Sequence, residues 1–174
     1  MQNLRNNMKG SISEKVQHPE ANSQQPELKY CYKYPHPAVT ADCVIFGFDE
    51  SNIMKVLLIQ RGNDPYKGKW AFPGGFMNMD ETAEQCARRE LEEETGLKDV
   101  AVEQFYTFTD VNRDPRERVI TVAHYALVKL SEVKGGDDAE KAQWFSLDEI
   151  PSLAFDHEEI LNKALQTLKE KKKL

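Results

Sequence analysis

One acidic stretch constrains this chain more than any other: residues 81–97, "ETAEQCARRELEEETGL". Its helix is bounded at both ends. Thr82 and Gln85 have the spacing of a capping box, in which each side chain satisfies the other's backbone N–H. Gly96 offers the left-handed residue on which helices commonly stop. The reading is a helix from Thr82 to about Glu94. On it Glu90, Glu93 and Glu94 stand at i, i+3 and i+4, so the three carboxylates share one face. Like charges at that spacing destabilise a bare helix by roughly 0.2–0.5 kcal/mol per pair. Solvated glutamates are one account of this. A hard divalent cation with oxygen ligands, Mg²⁺ above all, is the other. Ala83, Cys86 and Ala87 are small and allow a close neighbour on the same side, and Arg89 stands one turn before Glu93, where it can orient a carboxylate. Gly74 and Gly75 precede the helix, where backbone must come close to a metal or a phosphate.

Around the helix the pattern is mostly β. Residues 39–48 form a β-rich run, 49–52 a polar turn, and 55–60 ("KVLLIQ") a second apolar run. The loop "RGNDPYKGKW" follows, and Trp70 and Phe72 after it are expected in the core. Residues 100–109 and 118–130 read as strands separated by the polar loop "DVNRDPRE". Gly135 and Gly136 open another loop, which carries Asp137, Asp138 and Glu140, and "AQWF" is a short last strand ending at Phe145. A second helix covers about 156–172, with Ile160, Leu161, Ala164, Leu165 and Leu168 on one stripe and a solvated basic end. Residues 1–29 are polar without sustained period and read as a mobile tail, leaving 30–174 as one domain. Strands, a glutamate-rich helix, more strands and a final helix give an α/β or α+β sandwich.

The spacing within the acidic stretch goes further. Gly75 is followed after five residues by Glu81, then after seven by Arg89, Glu90 and Leu91, then by Glu93, Glu94, Gly96 and Leu97. Every fixed position of the Nudix box is matched, and the chain resembles the Nudix hydrolase superfamily over residues 36–170. The resemblance implies an α/β/α sandwich on a mixed β-sheet with a loop–helix–loop catalytic motif. It implies hydrolysis of a nucleoside diphosphate linked to another group. Glu90 and Glu94 would be the principal Mg²⁺ ligands, with Mn²⁺ able to substitute. Glu93 would be a ligand or the general base, and the carbonyl of Gly75 would complete the site. Glu81 would fix the loop or bind a further metal through water, and Arg89 would hold a glutamate in position. The base varies across the superfamily, so Glu140 is a further candidate. The chemistry matches the parts: water attack on a diphosphate needs phosphate charge neutralised and a proton taken up.

For the substrate, residues 108–128 resemble the corresponding loop and strand of Nudix ADP-ribose pyrophosphatases, with Pro115 near a proline position of that group. Arg113, Arg116 and Arg118 in this loop suit oxyanions, and Arg61 joins them as a candidate substrate ligand. Solvated Arg–Asp or Arg–Glu pairs are the alternative for each. ADP-ribose is the favoured substrate, ahead of an oxidised nucleoside triphosphate or a nucleotide sugar. An ADP-ribose-sensing regulatory domain is a third reading. It expects a winged helix after the Nudix fold and often a damaged box, whereas here a single helix follows Phe155 and the box is complete. Relatives in this group are often homodimers, so a homodimer is expected.

Composition narrows the class. A formal net charge of -6 disfavours nucleic acid or an anionic membrane as partner. No apolar run approaches the roughly 20 residues of a membrane span, and no signal peptide is visible, so a cytoplasmic location is expected. Cys31, Cys43 and Cys86 form no close pair and read as small hydrophobes. His36, His124 and His157 are scattered, without metal spacing.

Overall fold

The computed structural model describes residues 32–136 and 139–173. The expected tail at 1–29, together with Cys31, Asp137 and Asp138, lies outside the described residues.

Strand β1 (Ala38–Phe48) is central because it is apolar on both sides. Ala41, Cys43 and Ile45 belong to one core cluster, and Val44 and Phe46 to another. A strand buried on both faces reads as a nearly unbroken apolar run, as this one does. β2 (Met54–Arg61) returns antiparallel to it after a turn in which Asp49 Oδ1 accepts the N–H groups of Ser51 and Ile53 at 2.9 Å each. β3 (Trp70–Ala71) pairs with β2, and β4 (Gly74–Phe76) pairs with β1. β5 (Glu103–Phe108) lies antiparallel to β6 (Val119–Lys129), which runs parallel to β1 from Ala38↔Val119 to Phe48↔Lys129. β7 (Ala139–Ser146) pairs with β2. The result is one mixed sheet in the order β3-β2-β1-β6-β5, with β4 and β7 branching from β1 and β2.

Helix α1 (Ala83–Thr95) covers one face of the sheet, placing Cys86, Ala87 and Leu91 on Ala41, Cys43 and Ile45. Helix α2 (His157–Glu170) covers the other, placing Ile160, Leu161, Ala164 and Leu168 on Val44, Phe46, Val56 and Leu58. Each Leu or Ile buried this completely contributes about 1.5–3 kcal/mol. The three layers are those of the α/β/α sandwich expected from the sequence.

The sequence-derived boundaries need three corrections. The last strand begins at Ala139, because β2 keeps its partner through Arg61↔Ala139. Glu140 is therefore an exposed strand residue and not part of a loop. β3 and β4 were not foreseen, since two or three residues carry no detectable period. The basic C-terminal end is also not simply solvated. Lys171 and Lys173 donate to the Glu103 carboxylate, and Lys173 Nζ lies 2.9 Å from Tyr125 Oη. The Lys171 bond chiefly holds the Glu103 carboxyl down at about 2. At such exposure, the tether adds little stability.

Candidate active site

The capping box forms as its spacing predicts. Thr82 Oγ1 accepts Gln85 N–H at 3.2 Å, and Gln85 Oε1 accepts Thr82 N–H at 2.8 Å. Gly96 ends α1 at φ 76°, donating to Glu92 O at 2.8 Å. The register fixed by these two ends brings Arg89, Glu90, Glu93 and Glu94 to one side. Arg89 forks onto Glu81, with Nε to Oε2 at 3.0 Å and Nη2 to Oε1 at 2.6 Å. Its Nη1 bridges Glu90 Oε1 at 2.6 Å and Glu93 Oε2 at 3.0 Å, and Nη2 also reaches Phe76 O at 3.2 Å. The guanidinium holds the Glu81 carboxyl down at about 2. Glu90 is pushed up, because its burial outweighs the Arg89 contact. Glu94 is 6% exposed and rises to about 8, through burial and then through the nearby Glu90 and Asp42 charges, although Gly74 N–H donates to it at 2.9 Å.

The paired glycines of β4 are required by close approach. A Cβ on Gly75 would sit 2.4 Å from Glu90 Oε1, a movable side-chain end. A Cβ on Gly74 would sit 2.4 Å from the backbone carbonyl oxygen of Ala41, which cannot move without breaking the β1–β4 register. The two alanine variants should therefore differ in kind. Gly74→Ala is expected to lower unfolding stability by about 1–3 kcal/mol. Gly75→Ala should displace the Glu90 carboxylate and reduce turnover while keeping close to the native denaturation midpoint. Urea unfolding beside an activity assay checks this pair, and equal stability loss in both would contradict it.

Arg61, Arg113, Arg116, Phe76 and Phe155 line the same cavity as the carboxylates, a space of about 370 Å³. Arg61 and Arg116 place their guanidiniums 4.9 and 5.7 Å from the Phe155 ring centroid, and Arg116 lies 5.0 Å from that of Phe76. Arg116 is further held by a fork to Asp114 at 3.0 and 2.7 Å. Phe155 takes φ 51°, an uncommon conformation for a bulky residue, at the cavity wall. Arg113 lines the cavity but is almost wholly buried, with Nε and Nη2 on Asp156 at 2.8 and 2.6 Å. Asp156 consequently gives α2 no side-chain cap. Asp42, from the middle of β1, accepts Thr121 Oγ1–H at 2.6 Å and lies 3.9 Å from Arg113. His157 opens α2 and takes the Phe72 N–H on Nδ1 at 2.9 Å.

The model of the NUDIX domain matches residues 36–168. The chain belongs to the Nudix family. It is 43% identical over 135 residues to an ADP-ribose pyrophosphatase of Methanocaldococcus jannaschii, covering 78% of this chain and 77% of that protein. It is 36% identical to an ADPR responsive transcriptional repressor NtrR of Acinetobacter baylyi, covering 79% of this chain but only 57% of the repressor. Among solved structures, the NUDIX domain of Shewanella oneidensis NrtR complexed with ADP ribose superposes with a TM-score of 0.74 at 32% identity, covering 80% of this chain and 94% of that one. The protein is a Nudix hydrolase.

The residues of the Nudix box fit a divalent cation by their chemistry. Glu90, Glu93, Glu94 and the Gly75 carbonyl offer oxygen alone, and the buried Glu94 carboxylate lies amid other negative charge that a cation would offset. Among the described residues no three His, Cys, Asp or Glu side chains already converge as a metal-holding group. Arg89 accounts for part of this, since it draws Glu90 and Glu93 onto its own Nη1. Two of the sequence candidates stand elsewhere. Arg118 does not line the cavity and instead braces its own loop, donating to the carbonyls of Thr109 at 2.8 Å and Asp110 at 3.1 Å. Glu140 also lies outside the cavity lining. Arg113 is brought to the wall as a buried brace, with its fork already committed to Asp156. Asp42, Asp114, Phe155 and His157 were missed by sequence reasoning. Only Asp42 had a signal, as an acid inside the apolar run "AVTADCVIFGF".

Proposed function

We propose that this Nudix hydrolase cleaves the diphosphate linkage of ADP-ribose to AMP and ribose 5-phosphate with the aid of Mg²⁺. The observation that carries the reading is one cavity lined by the three box glutamates together with Arg61, Arg116 and Phe155. Glutamates and arginines sharing one cavity suit a ligand whose diphosphate lies between bound cations and guanidiniums. The similarity to a protein named ADP-ribose pyrophosphatase, and to a domain solved with ADP ribose, supports the choice of substrate.

Glu90, Glu94 and the Gly75 carbonyl would hold the cation in this reading. When bound, it neutralises phosphate charge and makes the attacking water more acidic. The chain's own groups do the rest. Arg89 fixes the directions of Glu90 and Glu93. Glu93 is the most exposed of the three box glutamates, and with Oε2 on Arg89 its Oε1 is left to take the proton of the attacking water. Arg61 and Arg116 bind oxyanions or stack with the base beside Phe155.

The resemblance to a transcriptional repressor favours a second reading, a domain that binds ADP-ribose without cutting it. One experiment separates the readings. The protein is incubated with Mg²⁺ and either ADP-ribose or 8-oxo-dGTP, and products are followed by chromatography. AMP release from ADP-ribose, faster than any turnover of the triphosphate, is the expected result. Preferred turnover of the triphosphate overturns the substrate assignment, and tight ADP-ribose binding with no AMP formed selects the sensor.

A further inference from the structure

The segment Phe72–Gly74 ties the two sides of the cavity together. Phe72 N–H donates to His157 Nδ1 at 2.9 Å, and Gly74 N–H donates to Glu94 Oε2 at 2.9 Å. Between them, Pro73 O accepts the N–H of Cys43 at 2.8 Å, fastening the segment to β1. His157, from the first turn of α2, is thereby set against the same space as the box glutamates of α1.

Three features give its ring a defined state. Nδ1 accepts a backbone N–H, so it carries no proton, and in the neutral ring the proton belongs to Nε2. Burial lowers the pKa of the ring and keeps it neutral. The residue is 4% exposed and its ring is stacked on Phe72 at 5.2 Å and 11°, and so held in orientation. Nε2 has no hydrogen-bond partner among the described residues. No buried side-chain nitrogen or oxygen among them lacks a partner, so Nε2 is not sealed within the core, and His157 is among the residues that line the cavity. A fixed neutral donor facing a cavity with Arg61 and Glu94 on its walls suits a ligand oxygen, because it adds a hydrogen bond without adding charge.

We propose that His157 donates its Nε2–H to an oxygen of the bound nucleoside diphosphate derivative, an assignment that rests on the hydrolase reading above. His157 is then a substrate-binding residue as well as the anchor of Phe72.

Two substitutions separate those roles. In His157→Asn the amide oxygen stands near the place of Nδ1 and keeps the Phe72 bond, but nothing replaces Nε2. In His157→Gln the amide nitrogen comes near the place of Nε2. His157→Asn keeps the Phe72 bond but gives up the stacked ring, so its melting temperature should fall while the protein stays folded at the assay temperature. Its kcat should stay within about twofold and KM for ADP-ribose rise about tenfold, the scale of one hydrogen bond to a charged ligand. His157→Gln should recover part of that loss. In the wild-type chain with ¹⁵N-labelled histidine, an ADP-ribose analogue with a methylene bridge between the phosphorus atoms is added with Mg²⁺. The His157 Nε2 and attached proton signals should shift, while Nδ1 stays unprotonated. Binding of the analogue is followed in parallel by calorimetry. Measurable binding with unmoved Nε2 signals, or an unchanged KM in His157→Asn, overturns the assignment while leaving the hydrolase reading in place. Absence of wild-type binding overturns both.

Discussion

Replacing Glu94 by glutamine is expected to remove nearly all turnover while the fold stays intact. Glutamine matches glutamate in shape, and its amide oxygen can still accept the Gly74 N–H now made to Oε2 at 2.9 Å. The change is one of charge at a buried position, 6% exposed, beside Glu90 and Asp42. Loss of groups that merely support a metal ligand commonly costs 10–100-fold. Removal of a ligand itself should exceed that, so kcat is expected to fall by more than about 100-fold. Steady-state kinetics with ADP-ribose and Mg²⁺, beside circular dichroism, test this. Near-normal kcat would place the metal away from α1.

The same residue predicts how stability responds to pH when divalent ions are removed. The Glu94 carboxyl is raised from its ordinary 4.5 to about 8, chiefly by burial. A raised acid favours the folded state while protonated. That contribution is complete below about 4.5, declines above it, and is gone once pH passes 8. In EDTA, wild-type protein should therefore lose melting temperature relative to Glu94→Gln as pH rises from about 5 to 8. Adding Mg²⁺ should restore the wild type and leave the variant little changed, since a ligand that binds only the folded state stabilises it. Parallel melting curves across that range would contradict the assignment.

How far these features could be read in advance depends on the range over which each is determined. The helix α1 was legible because its signals are local: the Thr82 and Gln85 cap, the Gly96 stop and the carboxylate spacing all lie within one short stretch. The long strands were legible because a doubly buried strand such as β1 reads as a nearly unbroken apolar run, with Asp42 as its interruption. β4 was not, since three residues carry no period and its existence depends on pairing with Thr40, Ala41 and Asp42. The arginines show the same limit. Arg113 and Arg118 look equivalent in the sequence, yet one is paired with Asp156, 43 residues away, and the other donates to carbonyls of its own loop. His157 carried no metal spacing and was set aside. Its significance comes from Phe72, 85 residues earlier, which no local pattern reports.

Arg89→Lys should fail to rescue Arg89→Ala, because geometry and not charge alone holds the carboxylates. Arg89 forks onto both oxygens of Glu81, bridges Glu90 and Glu93 through Nη1, and still reaches the Phe76 carbonyl. A lysine ammonium is a single point of charge and cannot span these partners. kcat/KM for ADP-ribose is expected to fall about 10–100-fold in Arg89→Lys and further in Arg89→Ala. Stability should follow the carboxylates. In the wild type Arg89 depresses Glu81 from 4.5 to about 2, a contribution present above 4.5 and lost as pH falls through 2. Arg89→Ala lacks it at every pH. The difference in melting temperature between wild type and Arg89→Ala should thus be greatest near neutrality and narrow as pH approaches about 2. A lysine variant with wild-type kcat/KM would show that a positive charge anywhere near Glu90 and Glu93 suffices. The bonds from Nη1 would then have no part in directing those two glutamates toward the cavity.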